Sequence, residues 1–371
     1  MKIVVISPTY NERENIEKMI PVLEKEVFPK VKNHQMQLLI PDDNSPDGTA
    51  DVIRKFMKEY KNISLIQGQK QGLGAAYVRG MKYAMDELKA DAVIEFDADF
   101  QHDPHDIPRL IEAMDEGYDY VIGSRYIKGG AIPKEWGLNR KILSRFGSLF
   151  TCIVWLNFRI HDMTSGFKLT RTTYLKKVNL DHLLSKDFAY KLNILHDIIK
   201  LGAKVKEIPI VFYERTEGAS KISQKDQIDS LYVVLRLRFR DSEKFLKFLV
   251  VGGVGFIINA VLLKVLVDGA HWNPSVANLV GAAAAIFSNY NFNNFWTFKA
   301  HQVRTVPEYL FKLVQFYLTS AFGVIFIQTG AIFIGDTLIG KKFYFEYFLV
   351  GTLLLLIWNF TIYNRFIWKK K

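Results

Sequence analysis

Apolar positions follow two regimes along the chain, and the change comes near residue 244. Before it, short runs of aliphatic and β-branched residues at 2–7, 36–41, 63–67, 92–97, 120–124 and 208–213 read as strands. Between them, apolar residues recur every three or four positions over 15–26, 49–60, 72–88 and 107–117, the period of an amphipathic helix. A further helix is expected over 185–200. This alternation predicts an α/β domain spanning 1–230, with a mostly parallel sheet covered on both faces. Ligands of such sheets bind beyond the carboxyl ends of the strands.

Beyond residue 244 the pattern becomes four apolar stretches, 245–267, 274–298, 309–335 and 343–368. Each is long enough to cross a hydrocarbon core of about 30 Å as a helix. A large buried helical core is the alternative, but it needs a polar shell that the sequence does not supply. Asn289, Asn291, Asn293 and Asn294 gather at the end of the second stretch, where buried amides need partners. The stretches repeat as pairs. Lys244-Phe-Leu-Lys-Phe-Leu-Val opens the first and Tyr309-Leu-Phe-Lys-Leu-Val the second; Asn293-Asn-Phe-Trp-Thr-Phe-Lys299 and Tyr363-Asn-Arg-Phe-Ile-Trp-Lys369 close them. Two duplicated helical hairpins explain this, giving an all-α four-helix transmembrane domain over 245–371. This part resembles the small four-span GtrA-like membrane domains.

Charge places the membrane. The 371 residues carry 49 Lys+Arg and 38 Asp+Glu, a net of +11. Only four of the acidic residues, against 11 Lys/Arg, follow residue 244. Basic residues beside apolar runs fit anionic lipid head groups; the earlier part has no basic tract interleaved with base-stacking aromatics, so nucleic acid is not an expected partner. With an even number of spans, Arg236, Arg238, Arg240, Lys244, Lys247, Lys299, Arg304 and 369–371 fall on the side of the amino terminus, and Lys264, Lys341 and Lys342 on the other. That bias predicts a multi-pass protein with both termini and the α/β domain in the cytoplasm. The first apolar run is too short for a secretory leader and ends in a Pro-Thr-Tyr-Asn turn. Cys152 is the single cysteine, which excludes a disulfide framework and a cysteine zinc site; it lies in an apolar run and reads as packing.

Candidate chemistry follows each strand. Pro8-Thr-Tyr-Asn-Glu-Arg-Glu14 follows the first, Asp42-Asp-Asn-Ser-Pro-Asp-Gly48 the second, Asp97-Ala-Asp-Phe-Gln-His-Asp-Pro104 the fourth and Gly123-Ser-Arg125 the fifth. Singly, each could be a cap or a solvated turn. Together at one sheet edge they describe a site. Residues two apart in an extended turn point the same way, so Asp97, Asp99 and Gln101 face one point. Such oxygen ligands, open to substrate, suit Mg²⁺ or Mn²⁺ rather than zinc. His102 could join the ion or support the loop by hydrogen bonds. Gly72-Leu-Gly-Ala-Ala-Tyr77 is a poor dinucleotide fingerprint, and the P-loop lysine motif is absent.

In this order, Pro8-Thr-Tyr-Asn-Glu12, Asp42-Asp-Asn-Ser-Pro-Asp-Gly-Thr49, Gly72-Leu-Gly-Ala-Ala76, Asp97-Ala-Asp-Phe-Gln-His-Asp-Pro104, Gly123-Ser-Arg-Tyr126 and Gly218-Ala-Ser-Lys221 resemble the dolichyl-phosphate mannose synthases. The resemblance covers about residues 1–230. It implies a GT-A fold, a GDP-mannose donor, a divalent metal, a dolichyl or other polyprenyl phosphate acceptor, and inversion by direct displacement. It implies that Pro8, Tyr10 and Glu12 hold the nucleoside, with Ile40 and Asp42 beside it. Asp97, Asp99 and Gln101 would carry the metal, Ala98 would offer backbone to the nucleotide, and Arg215 and Lys221 would face the phosphates. Lys186 and Asp187 match a family segment near the donor sugar. Pro41 departs from the family's aliphatic residue at that place, a tolerable change at a strand end.

A phosphate monoester is already ionised at neutral pH and needs no general base, so positioning and charge control remain as the protein's tasks. Cations must hold the acceptor phosphate against repulsion from the donor. Arg125, at the same sheet edge, is the first candidate, followed by Arg140 and Arg145, with Ser144 beside them. Over 132–160, Trp136, Leu138, Ile142, Leu143, Phe146, Leu149 and Phe150 recur at helical spacing, flanked by Arg140, Lys141 and Arg145. This reads as a helix lying in the membrane interface, or alternatively as one packed on the sheet; 228–244 reads as a second. A UDP-glucose-dependent polyprenyl-phosphate glucosyltransferase would share these features. A lipid-linked sugar flippase or bare membrane anchor is a rival from another class, which the intact acidic set disfavours. The membrane part would anchor the enzyme or help it form oligomers.

Overall fold

The computed structural model describes residues 1–214 and 223–368. The chain divides into two compact units, Met1–Arg238 and Phe239–Lys371.

The first unit is built on seven strands: β1 (Lys2–Ile6), β2 (Gln35–Asp42), β3 (Ile63–Gln67), β4 (Ala92–Glu95), β5 (Tyr120–Ser124), β6 (Lys168–Arg171) and β7 (Val205–Pro209), in the order β3-β2-β1-β4-β6-β5-β7. All pairings are parallel except those of β6, which lies antiparallel between β4 and β5. Because side chains alternate along a strand, Ile3, Val5, Leu38, Ile40, Ile94 and Val121 enter one core, against α1 (Arg13–Val22), α2 (Thr49–Glu59) and α4 (Ile107–Asp115). Val4, Ile6, Leu39, Val93, Tyr120 and Ile122 enter the other. That second core is closed by α3 (Leu73–Asp86), α5 (Leu138–Trp155), the short α6 (Thr172–Leu175), α7 (Tyr190–Lys200) and the start of α8 (Gln224–Lys264). The expected doubly covered sheet is therefore present, with the GT-A arrangement of one reversed strand.

Several boundaries differ from the pattern reading: the fourth strand ends at Glu95 rather than Asp97, and the separate interfacial helix expected over 228–244 is the first part of α8, continuous with the first apolar stretch, with Val233, Val234 and Leu237 in the second core. β6 was not expected: its Lys168 is fully buried, and a lysine in a short run reads as a solvent-facing loop. The last strand ends at Pro209 rather than running to Tyr213; Val211 and Phe212 instead make single bridges to Ala131 and His102 across the sheet edge. The helix expected from residue 185 starts at Tyr190.

In the second unit all four apolar stretches are helical: the later part of α8, then α9 (Pro274–Phe292), α10 (Val306–Phe322) continuing through a wide turn into α11 (Thr329–Leu338), and α12 (Tyr344–Ile362). Among the described residues, Gln224–Gly269, Val306–Leu338 and Leu349–Ile367 are long and apolar enough to cross a membrane. The two repeat endings adopt the same wide π-type turn, at Asn293–Thr297 and Tyr363–Ile367. Of the asparagine cluster, Asn291 donates to the Phe287 carbonyl at 2.9 Å and accepts from the Tyr309 hydroxyl at 2.8 Å, while the buried side-chain oxygens of Asn289 and Asn293 meet no hydrogen-bond donor among the described residues. Asn294 bonds the carbonyl and amide of Val303 (3.2 and 2.8 Å) and accepts from the Trp368 indole at 3.0 Å. Phe298 stacks on Trp368 at 4.6 Å.

Candidate active site

The acidic strand ends meet at the carboxyl edge of β2, β1 and β4. Thr9 extends β1 by pairing with Pro41 and Asp43, and its hydroxyl donates to Asp42 Oδ1 at 2.9 Å. Asp42 also accepts from the Ser45 amide (2.9 Å) and hydroxyl (2.6 Å), so its fully buried carboxylate braces the turn. Pro8 is buried, the Lys70 ammonium lies 3.5 Å from the Tyr10 ring centroid, and Glu12 accepts from the Asn15 amide at 2.7 Å. Ile40 has its side chain in the core, which leaves only its backbone for a ligand.

After β4, Asp97 Oδ1 accepts the Tyr77 hydroxyl at 2.7 Å, and Asp99 Oδ1 accepts the backbone N–H of Gln101 at 3.1 Å, while the Gln101 side-chain amide donates to the Tyr213 carbonyl at 3.4 Å. Ala98 and Asp99 are buried and Asp97 is half-buried. Tyr77 stacks on Tyr190 at 5.4 Å, and Tyr190 donates to Glu95 Oε2 at 2.5 Å. Burial and the adjacent carboxylates of Asp97 and Asp99 push the Tyr77 hydroxyl well above its ordinary range, so it stays a donor. Glu95 opposes Lys168 in the register of β4 and β6. Burial holds the Lys168 ammonium down to about 8 even though Glu95 favours its charge. His102 packs between Phe167 (5.2 Å) and Phe212 (4.9 Å), and burial lowers its imidazole to about 4, so it is neutral at pH 7. It supports the loop by packing; its Nδ1 makes no hydrogen bond.

The end of β5 contributes Arg125. Its backbone N, Nε and Nη2 all reach Asp162, at 3.0, 2.7 and 2.8 Å, and Nη2 also reaches Thr164 at 3.0 Å. Burial alone would raise the Asp162 carboxyl, but Arg125 holds it below its ordinary value. Beside this pair, Tyr126 and Ser144 share a hydrogen bond of 2.5 Å. Arg145 is exposed on α5, and Arg140 lies 4.0 Å from the Trp136 ring centroid and 3.7 Å from Glu214. Lys186 and Asp187 close the other flank. The Lys186 carbonyl accepts the Ala75 amide at 3.0 Å, and a Cβ on Gly72 or Gly74 would collide with this segment. Two glycines of the Gly-Leu-Gly run thus let α3 approach Lys186 and Asp187.

Comparisons with known proteins identify the family and its two domains. The Glycosyl transferase family 2 pattern matches residues 4–178, and the GtrA/DPMS transmembrane domain matches residues 247–368. A dolichol-phosphate mannosyltransferase of Pyrococcus furiosus is 31% identical over 88% of this chain and 88% of its own. The chain belongs to the dolichol-phosphate mannosyltransferase family. It is a glycosyltransferase with a GT-A catalytic domain and a transmembrane domain. An undecaprenyl-phosphate mannosyltransferase of Micrococcus luteus is 35% identical over 60% of this chain and 88% of its own. A solved mannosyltransferase of Pyrobaculum calidifontis, in complex with GDP-Man and Mn²⁺, has a TM-score of 0.40 and 13% identity, covering 97% of this chain and 86% of that one.

In this family member, the structure gathers Asp97, Asp99, Gln101, Arg125, Ser144 and the Lys186-Asp187 segment on one edge of the first unit. Arg215 and Lys221 lie outside the described residues. Carboxylate oxygens from Asp97 and Asp99, with the Gln101 amide next to them, fit a hard cation. Among the described residues no group of three or more His, Cys, Asp or Glu side chains converges, so further ligands would come from phosphate and water. Sequence reasoning missed Tyr77, Asp162 and Lys191. Tyr77 ends the Gly72–Tyr77 run and could have been read from it; Asp162 is a lone acid in a loop and carried no signal.

Proposed function

We propose that the protein transfers mannose from GDP-mannose to dolichyl or another polyprenyl phosphate at the cytoplasmic membrane face, with inversion and with Mg²⁺ or Mn²⁺ bound by Asp97, Asp99 and Gln101. The observation that carries this reading is the paired carboxylates after β4 on the same sheet edge as Arg125 after β5. Tyr77 fixes one carboxylate and the backbone N–H of Gln101 fixes the other, so both meet an incoming ligand in a set orientation. The bound ion would supply charge neutralisation for the departing diphosphate. Arg215 and Lys221 would share that task. Pro8, Tyr10, Glu12, Asp42 and the Ala98 backbone would hold the nucleoside, and Lys186 and Asp187 the sugar. Arg125, locked by Asp162, would present its remaining N–H groups to the acceptor phosphate, with Arg140, Ser144 and Arg145 further out.

Helix α5 supports a lipid acceptor. Ser148, Thr151 and Cys152 face the core, while Leu138, Ile142, Phe146, Leu149 and Ile153 are about half exposed or more, one per helical turn. Leu138 is 72% exposed. Such a stripe beside Arg140 and Arg145 fits a helix lying in the head-group region. Loss of one buried leucine contact is worth about 1.5–3 kcal/mol. Leu149→Glu should therefore raise KM for a long-chain polyprenyl phosphate at least about tenfold and leave a short, water-soluble isoprenyl phosphate unchanged. Equal losses on both acceptors would remove the interfacial role.

The donor is tested with the purified full-length protein, a polyprenyl phosphate and Mn²⁺. Transfer from GDP-mannose should exceed transfer from UDP-glucose by at least about 10²-fold, the scale set by a site that hydrogen-bonds its ligand. Preference for UDP-glucose would replace this reading with the glucosyltransferase one.

A further inference from the structure

Lys191, in the first turn of α7, is only 2% exposed, and no part of the proposed machinery uses it. Its Nζ stands 3.6 Å from the Phe188 ring centroid. A Cβ placed on Gly166 would lie 3.1 Å from that Nζ and 3.4 Å from Asp97 Oδ2. The ammonium and the outer oxygen of the metal carboxylate therefore border one small space, which stays open because residue 166 has no side chain. Among the described residues no carboxylate forms an ion pair with Lys191. The charged groups near it are Asp97, Glu95 and Asp162, which favour its charge, and Arg125 and Lys168, which oppose it.

A cation held in a buried place without a carboxylate partner costs several kcal/mol unless an anion arrives to join it. Two anions come to this edge during the reaction. The donor diphosphate has the metal and the expected basic residues 215 and 221. The acceptor phosphate has Arg125, but that guanidinium is already paired with the fully buried Asp162, so the two together carry no net charge. Arg140 and Arg145 stand further out on α5, so Lys191 is the buried cation beside Asp97 that could add net positive charge close to the reacting centre.

We propose that Lys191 is a catalytic residue for acceptor binding: its ammonium donates to the non-bridging oxygens of the polyprenyl phosphate and holds the attacking oxygen against the anomeric carbon. This rests on the function proposed above. A lone pair of the acceptor oxygen forms the new bond to the anomeric carbon, while the bond from that carbon to the diphosphate breaks and its electron pair leaves with the nucleoside diphosphate. The ammonium keeps its proton throughout.

The test uses full-length Lys191→Met, Lys191→Arg and Gly166→Ala proteins. Three readouts are compared: affinity for Mn²⁺–GDP, slow hydrolysis of GDP-mannose by water, and kcat/KM for polyprenyl phosphate. Loss of a charge-assisted contact to a transferring centre should lower kcat/KM for the acceptor about 10²–10³-fold in Lys191→Met. Nucleotide affinity and hydrolysis should stay within about twofold. Lys191→Arg should recover at least about tenfold of the loss, and Gly166→Ala, which crowds the space but keeps the charge, should lose about tenfold. Unchanged transfer in Lys191→Met overturns the proposal. So does a parallel fall in nucleotide affinity and hydrolysis, which would place Lys191 on the donor side. If the wild-type protein turns over another nucleotide sugar instead, the donor reading fails, and the same comparison is made with that sugar.

Discussion

Asp99→Ala should reduce mannosyl transfer by at least about 10³-fold, the scale of removing a group that stabilises developing charge. Asp99 sits at the tip of β4 and accepts a backbone amide from Gln101. Its removal takes away one carboxylate of the proposed cation site, and nearby His102, packed between Phe167 and Phe212, brings no carboxylate to replace it. The fold should survive, because the loss of one acidic group from an edge crowded with acids relieves repulsion. Tyr77→Phe is the graded control. It deletes the 2.7 Å bond that aims Asp97 but leaves both carboxylates, so a loss of roughly tenfold in apparent metal affinity is expected. Chelation of divalent ions in the wild-type protein should match Asp99→Ala, not Tyr77→Phe. The measurement is transfer rate against added Mn²⁺, with melting temperature as the check on folding. Turnover above about a hundredth of the wild-type rate in Asp99→Ala, on the same scale, would detach the acidic pair from catalysis.

Asp162→Ala should be the most destabilising single change at the site. It leaves the Arg125 guanidinium in a place where its side chain is 10% exposed and its partner was wholly buried. Removing one member of such a pair costs about 3–5 kcal/mol. At about 2–4 °C per kcal/mol for a unit of this size, the catalytic unit should melt roughly 6–20 °C lower. Replacing both residues by leucine should recover most of that stability while transfer stays lost, as the proposed role of Arg125 on the acceptor phosphate requires. Melting of Asp162→Ala within about 2 °C of wild type, under the same scaling, would mean that Arg125 finds another partner and is not locked.

Much of this was legible from residue types alone. The strand-and-helix alternation, the Asp97 and Asp99 pair and the four apolar stretches all rest on local periodicity, which the sequence displays directly. What escaped it depends on charges inside the protein. Lys168 in β6 and Lys191 in α7 carried no signal of burial, because burial of a lysine is decided by partners remote in the chain, here Glu95 and the space beside Asp97. For the same reason Arg125 was legible as the first candidate for the acceptor phosphate but its partner was not: Asp162, 37 positions away, holds three of its nitrogens. The α5 stripe was legible as amphipathic, but only the structure decides which face is exposed: Ser148, Thr151 and Cys152 go in and the leucines and phenylalanine stay out.

Asn294 closes a different circuit. Its amide grips Val303 in the segment between the two halves of the repeat, and its oxygen receives the indole of Trp368 at the far end of the second half. Neither half could therefore be excised without loss: the first would keep its bonds to Val303 but lose the indole on its Asn294 oxygen, and the second would be left with a tryptophan N–H deprived of its acceptor. What began as a repetition in the primary structure has become a single interlocked body, in which each copy completes the other.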